Sequence, residues 1–361
     1  MKFTLKNKII TILIFFLFLI IILIVSNLLT KSFYLRNVTT QEQKLFIKKT
    51  FLPWKASKEK KEKNFYLQKL TNELNFKKSL DDIIFKEKLE INLDKNLFLE
   101  KYTYLKGFET GIDNTFPGSG YLDFLNNDLV VISSRGVLGY SSLNKNNFNF
   151  KQIENNIHNF INEEQFKKHK RFSIKDLHIN NNRIYVSYTE EIKKNCWNMS
   201  ILSADFSYSK INFKKLFSPK ECIHSIKNND NEFNAMQSGG RIISLDNDHI
   251  IFSTGEFRSR YLAQNIQSIN GKLIKINIKS SNFKIISSGH RNVQGLLFDK
   301  DEKFLLFTEH GPAGGDEINL LDITKDTISN YGWPISSYGY HYSDKLDITR
   351  NKKYPFLKSH S

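Results

Sequence analysis

Four times along the chain a polar turn leads into four apolar or β-favouring residues and ends on a hydroxyl. The segments are NNDLVVIS from Asn126, NNNRIYVS from Asn180, DNDHIIFS from Asp246 and DEKFLLFT from Asp301. Each follows a strand-like hexamer: GYLDFL from Gly120, IKDLHI from Ile174, GRIISL from Gly240 and VQGLLF from Val293. Strand, polar turn and strand together predict a β-hairpin. The segments start 54, 66 and 55 residues apart, which leaves room for about four strands per unit, the period of a β-propeller blade. Four separate hairpins of a β-sandwich would fit the same spacing, but recurrence of turn, apolar run and hydroxyl in register favours the propeller.

Other patterns divide the chain. Ile9 to Val25 carries no charge and follows a basic end with Lys2, Lys6 and Lys8, and no small-x-small cleavage pattern comes after it. This predicts an uncleaved transmembrane signal anchor within residues 1–30, with the basic end cytoplasmic and the bulk of the chain periplasmic or extracytoplasmic on an inner membrane. Residues 31–105 read as a charged helical stalk, from the run Lys58 to Lys63 and from Leu67, Leu70 and Leu74 at helical spacing. Residues 106–361 then form an all-β propeller of about four blades. Four blades do not close a comfortable ring, and Tyr354 to Ser361 holds no closing strand pattern, so a partial propeller is expected.

Composition changes the picture little. A net charge of +16 invites a nucleic-acid reading, but the lysines are spread along the chain, many in Asn-rich turns, so a solvated basic surface is expected and no nucleic-acid partner. Cys196 and Cys222 are the only cysteines and have no metal-ligand spacing; outside the cytoplasm they form a plausible disulfide, elsewhere two buried thiols.

Candidate chemistry is densest between Gly289 and Pro334. Gly311-Pro312-Ala313-Gly314-Gly315-Asp316-Glu317 is a tight turn with two carboxylates, suited either to a hard cation such as calcium or to capping of backbone amides. Arg291 and Asn292 lie in a turn ahead of a strand and suit an anionic or quinone-like ligand. Asn330-Tyr331-Gly332-Trp333-Pro334 adds rigid aromatic surface, as a site wall or as blade packing.

In that order, G-H-R-N-x-Q-G, E-H-G-P-x-G-G-D-E-x-N and N-Y-G-W-P closely resemble the soluble glucose/sorbosone dehydrogenases that use pyrroloquinoline quinone (PQQ). The resemblance runs more weakly upstream through Gln237 to Arg241, Ile250 to Gly255 and Gly271 to Ile276, and covers about Gly118 to Tyr342. It implies a six-bladed propeller that oxidises a sugar or polyol by hydride transfer to the quinone. Arg291 and Asn292 would contact the cofactor, the carbonyls of Gly311 and Pro312 would hold a calcium ion, and Asp316 and Glu317 would belong to a further calcium site. The family's general base is a histidine four residues before the Arg of the upstream motif, and that position here is Gln237. A neutral amide accepts no proton, so a non-catalytic propeller that binds a glycan or a partner protein is the alternative. The family's Asp after the Thr-Gly of the next strand is Glu256.

Overall fold

The four apolar runs are the second strands of four antiparallel sheets. The computed structural model describes residues 120–340, apart from 144–148, 162–164, 166–167, 169–171 and 231, together with three strands between Ile83 and Thr103 and two helical residues, Leu17 and Phe18. The chain divides into Met1–Phe65 and Tyr66–Ser361. All of the first unit except Leu17 and Phe18 lies outside the described residues, and with it the expected membrane anchor and the Lys58 to Lys63 run. Among the described residues no helix is long and apolar enough to cross a membrane.

The stalk reading needs one correction. Its described part is strand: β1 (Ile83–Ile84), β2 (Glu87–Asp94) and β3 (Leu97–Thr103). β2 and β3 form a hairpin, and β1 pairs with the edge of the first blade. EKLEINLD alternates charge with apolar residues at period 2, a strand pattern that the flanking charge density obscured.

Blade 1 consists of β4 (Gly120–Leu125), β5 (Asp128–Ser133), β6 (Leu138–Ser142) and β7 (Asn149–Asn155). Blade 2 consists of β8 (Ile174–Asn180), β9 (Arg183–Lys193), β10 (Cys196–Asp205) and, beyond β11 (Lys210–Ile211), β12 (Lys214–Phe217), with β13 (Ile223–His224) also on β10. Blade 3 is β14 (Gly239–Ser244), β15 (His249–Thr254), β16 (Lys272–Asn277) and β17 (Phe283–Ser288). Blade 4 has three strands, β18 (Val293–Asp299), β19 (Phe304–Glu309) and β20 (Glu317–Asp322). The turn between β8 and β9 shows why Asn recurs there: Asn181 and Asn182 both adopt left-handed φ, 49° and 58°, as a two-residue hairpin of matching twist requires.

The first strands β4, β8, β14 and β18 lie against one another in that order, while β4 and β18 share no comparable contact, so the described blades form an arc. Stacking buries both faces of each inner blade, which explains apolar runs in place of alternation. Ile184 and Val186 join the core between blades 1 and 2, and Tyr185 joins the core between blades 2 and 3. Ile251, Leu273, Val293, Leu305 and Phe307 fill the next gap. At the ends of the arc Leu122 and Phe124 on one side, and Leu297, Ile318 and Leu320 on the other, stay exposed.

Polar side chains stitch the first strands. Asp123 Oδ2 accepts the Ile179 N–H at 2.7 Å, and Asp176 Oδ2 accepts that of Ile242 at 2.8 Å. His178 Nε2 accepts the Ser244 N–H at 3.1 Å, so its Nδ1 carries the proton and donates to Asp123 at 3.0 Å. Two of the hydroxyls that close the repeats serve the same end: Ser187 donates to Gly240 O, and Ser253 donates to Val293 O at 3.4 Å while it accepts the Gly240 and Arg241 amides of its own blade. Short parallel strands also return to the preceding blade's edge, β11 on β7 and β21 (Ser329–Asn330) on β17. Cys196 and Cys222 form the expected disulfide.

Two stability outcomes follow. Asp176→Ala removes the acceptor of Ile242 N–H and the partner of Arg241, whose Nη1 lies 2.9 Å from Oδ1, and is expected to cost about 3 kcal/mol in urea denaturation. An unchanged midpoint would show that blades 2 and 3 do not depend on this stitch. Reducing the disulfide, whose cysteines are 26 residues apart, should lower stability by about 3 kcal/mol, and Cys196→Ser should be insensitive to the reductant.

Candidate active site

Three segments converge where β14 begins, where β15 ends and where β17 gives way to β18. Gly255 makes the approach possible, because a Cβ there would stand 2.3 Å from the Gln237 carbonyl oxygen. The backbone is then pinned three ways: Gly255 N donates to Ser238 O, Phe257 N to Gln237 O and Glu256 N to Arg291 O. Asn292 adds a fourth tie, its Oδ1 accepting the Gly239 N–H and the Gln294 amide, each at 3.0 Å.

The histidine of the G-H-R-N segment is wholly buried and acts as a support. His290 Nδ1 lies 2.9 Å from Glu309 Oε2 and Nε2 lies 2.7 Å from Ser287 Oγ, while Glu309 Oε1 accepts the Arg291 N–H. Arg291 is thereby fixed from its backbone outward. Its Nη1 donates to His310 O at 2.8 Å, and its guanidinium stands 5.4 Å from the Trp333 ring, which Arg260 also faces at 5.9 Å. Trp333 is buried, so N-Y-G-W-P contributes packing that holds arginines in place; Trp333 N donates to Gly289 O. Lys272 secures the neighbouring loop, its buried Nζ donating to Leu262 O, Ala263 O and Asn270 O.

Gln237 and Glu256 complete the centre. The Gln237 amide has one orientation that satisfies both neighbours: Nε2 donates to Glu256 Oε1 at 2.7 Å, and Oε1 accepts from Arg291 Nη2 at 2.8 Å. Glu256 is fully buried, and its Oε2 has no hydrogen-bond partner. Burial pushes its carboxyl up to about 8, against the pull of Arg291, Arg260 and Arg258. Glu232 offsets part of that positive charge, 3.5 Å from Arg258 and 3.7 Å from Arg260. With Glu256 protonated near neutral pH, the guanidiniums of Arg258, Arg260 and Arg291 make the centre rich in cations, which suits a polyanionic ligand.

The Gly311 to Glu317 turn adjoins this centre through the Arg291 to His310 bond. It is very tight: a Cβ on Gly311 would lie 1.7 Å from Gly315 O. Asp316 Oδ1 accepts the Gly311 N–H at 3.0 Å, the Pro312 carbonyl accepts the Gly315 N–H, and Glu317 accepts from Asn319 at 3.2 Å. The amide-capping reading therefore describes Asp316. No group of three or more His, Cys, Asp or Glu is gathered for a metal among the described residues. The donors present, backbone carbonyls and carboxylates, are still of the type that calcium takes, and an ion there would share Asp316 with Gly311.

The structure brings Gln237, Arg291 and Asn292 to one place, and the loop holding Gly311, Pro312, Asp316 and Glu317 adjoins them through the Arg291 to His310 bond. The sequence reading does not count Glu256, Glu309 or Trp333 as members. Glu256 was visible as a departure after Thr-Gly, and Glu309 opens the E-H-G-P motif, but neither residue type announces a partner so distant in sequence.

These features define a propeller with a cation-rich, carboxylate-bearing centre at the ends of blades 3 and 4. Residues 173–359 match the family model described as Glucose / Sorbosone dehydrogenase, and the chain belongs to that family. It is 35% identical over 118 residues to the aldose sugar dehydrogenase YliI of Escherichia coli, covering 29% of this chain and 31% of that protein. It is 40% identical over 90 residues to quinoprotein glucose dehydrogenase B of Acinetobacter calcoaceticus, covering 20% of this chain and 18% of that one. The chain thus spans about a third or less of the length of these curated relatives. Among solved structures, the apo soluble aldose sugar dehydrogenase of Escherichia coli is similar at TM-score 0.46 and 24% identity, over 62% of this chain and 65% of that one. The PQQ-bound aldose sugar dehydrogenase of Streptomyces coelicolor is similar at TM-score 0.44 and 18% identity, over 61% and 67%.

The buried carboxyl makes stability depend on pH. Because Glu256 holds its proton to about pH 8 when folded and to about 4.5 when unfolded, the unfolded chain ionises first and stability falls as pH rises between those values. Lys272, pushed down to about 8 by burial, acts above that window with the opposite sign. Urea unfolding from pH 5 to pH 9 should show the decline, and Glu256→Gln should flatten it; an equal slope in the variant would disprove the assignment.

Proposed function

We propose that this chain is a sugar or polyol dehydrogenase-like protein that takes PQQ at the Arg291 and Asn292 centre and calcium at the Gly311 to Glu317 loop. The observation that carries the reading is the convergence of Gln237, Glu256, Arg291 and Asn292 at one buried centre beside Arg258 and Arg260. Arg291 and the nearby Arg258 and Arg260 would hold an anionic cofactor, and the carbonyls of Gly311 and Pro312 with Asp316 and Glu317 would supply oxygen ligands to the cation. When bound, the quinone supplies a hydride acceptor and calcium a Lewis acid. Membrane anchoring through Ile9 to Val25, with the propeller periplasmic or extracytoplasmic, is part of the proposal and is supported by the charge-free run and by the disulfide.

The second reading, a non-catalytic propeller that binds a glycan or a partner protein, draws on two observations: Gln237 stands where the family has its base, and Asp316 caps its own loop.

Full-length protein is expected to bind PQQ in titration calorimetry, more tightly with calcium than with a chelator, and to reduce an artificial electron acceptor when sugars or polyols are supplied. Quinone binding without turnover across a broad panel would favour the second reading. No quinone binding at all would refute the cofactor assignment.

A further inference from the structure

The Gln237 amide does to its neighbours what an alcohol would do. Its N–H donates to a carboxylate oxygen of Glu256 at 2.7 Å, and its oxygen accepts a guanidinium N–H of Arg291 at 2.8 Å. A substrate hydroxyl makes the same two bonds, donating its proton to the carboxylate and accepting at its oxygen from the arginine. Gln237 and Arg291 each keep 7% of their surface exposed, whereas Glu256 is fully buried. The carboxylate also keeps an oxygen, Oε2, without any partner, so it has capacity to take a proton without breaking an existing bond.

The position of the pair is over-determined. Glu256 is held by its N–H to Arg291 O and by Ser259 N–H to its own carbonyl, and Arg291 is held by Glu309 and His310. The Gln237 side chain makes no bond on which the backbone junction depends.

We infer that Glu256 and Arg291 form a preorganised alcohol clamp, in which Glu256 is the proton acceptor, Arg291 Nη2 holds the substrate oxygen, and the Gln237 amide fills the clamp until a substrate hydroxyl displaces it. The inference rests on the dehydrogenase reading above. In the step it serves, the O–H bond breaks with its proton passing to the Glu256 carboxylate. The C–H bond breaks with its electron pair passing as hydride to an ortho-quinone acceptor, and the C–O bond becomes C=O. The substrate is oxidised by two electrons and the quinone is reduced by two. Donation from Arg291 strengthens as charge develops on the oxygen, which favours the transition state over bound alcohol. Groups that set the proton affinity of the clamp are Arg258 and Arg260 from the turn after β15, Arg291 from the turn before β18, and Glu232.

Four measurements on the full chain decide this. Infrared titration without cofactor should show one protonated carboxylic acid at neutral pH that ionises near pH 8 and is missing in Glu256→Gln; no such band in the parent overturns the clamp. With PQQ and calcium present, Glu256→Gln should lower kcat at least about 100-fold while the PQQ affinity from titration stays within a few fold. Turnover equal to the parent overturns the inference. The parent's kcat/KM should rise with pH through about 8, because the acceptor must be ionised, and Gln237→His should move that limb to lower pH. Gln237→Ala, which empties the clamp, should lower KM for the alcohol; a folded Gln237→Ala without activity would show that the amide is itself required, and sinks the displacement. A parent that binds PQQ and oxidises nothing overturns the clamp but leaves cofactor binding standing, whereas a parent that binds no PQQ removes the reading on which it rests.

Discussion

Glu309 holds the functional end of the molecule together. One buried carboxylate receives the Arg291 amide on one oxygen and faces His290 Nδ1 on the other, from the last residue of a strand whose apolar run packs into the blade 3 to blade 4 core. Every later placement depends on it. The Arg291 carbonyl orders Glu256, its guanidinium orders Gln237 and rests near Trp333, and Gly289 receives the N-Y-G-W-P turn. A buried ionisable pair of this kind is costly to break and specifies geometry more than it adds net stability.

The repeat was readable because stacked blades impose one rule on every unit. A strand covered on both faces must be apolar at successive positions, and in blades 1, 2 and 4 the turn before it takes left-handed backbone. Leu-Val-Val-Ile, Ile-Tyr-Val and Ile-Ile-Phe meet the first condition, and Asn126, Asn181, Asn182 and Lys303 meet the second. The closing hydroxyl bonds across blades at Ser187, to Gly240 O, and at Ser253, to Val293 O. Thr308, at the same place in blade 4, is exposed, as are Leu297, Ile318 and Leu320 on that blade. The strands at Ile83 to Thr103 are signalled in the sequence by alternation at period 2, which the surrounding charge density masks.

The site was legible in part. Arg291 and Asn292 stood out because a cation and an amide follow Gly-His in a turn, and both come to the centre. Glu256 could not be weighed in the same way, since its meaning lies in burial and in contact with residues 19 positions upstream and 35 downstream, neither of which spacing reveals. Asp316 shows the converse. A carboxylate in a Gly-rich loop fits both a metal and an amide cap, and only the 3.0 Å contact to Gly311 N shows that the cap is made.

The exchange at Gln237 then has a physical reading that does not depend on loss of function. A histidine between Glu256 and Arg291 would titrate, and its protonated form would place a further positive group against the guanidinium. The amide has no charge to gain. It offers one donor to the carboxyl and one acceptor to the arginine, while Glu256 Oε2 keeps no partner. The proton affinity of the site is thereby concentrated in Glu256 alone, whose burial raises it and whose three arginines restrain it. A family centre usually described by its base is here governed by the balance between one buried carboxyl and the cations around it.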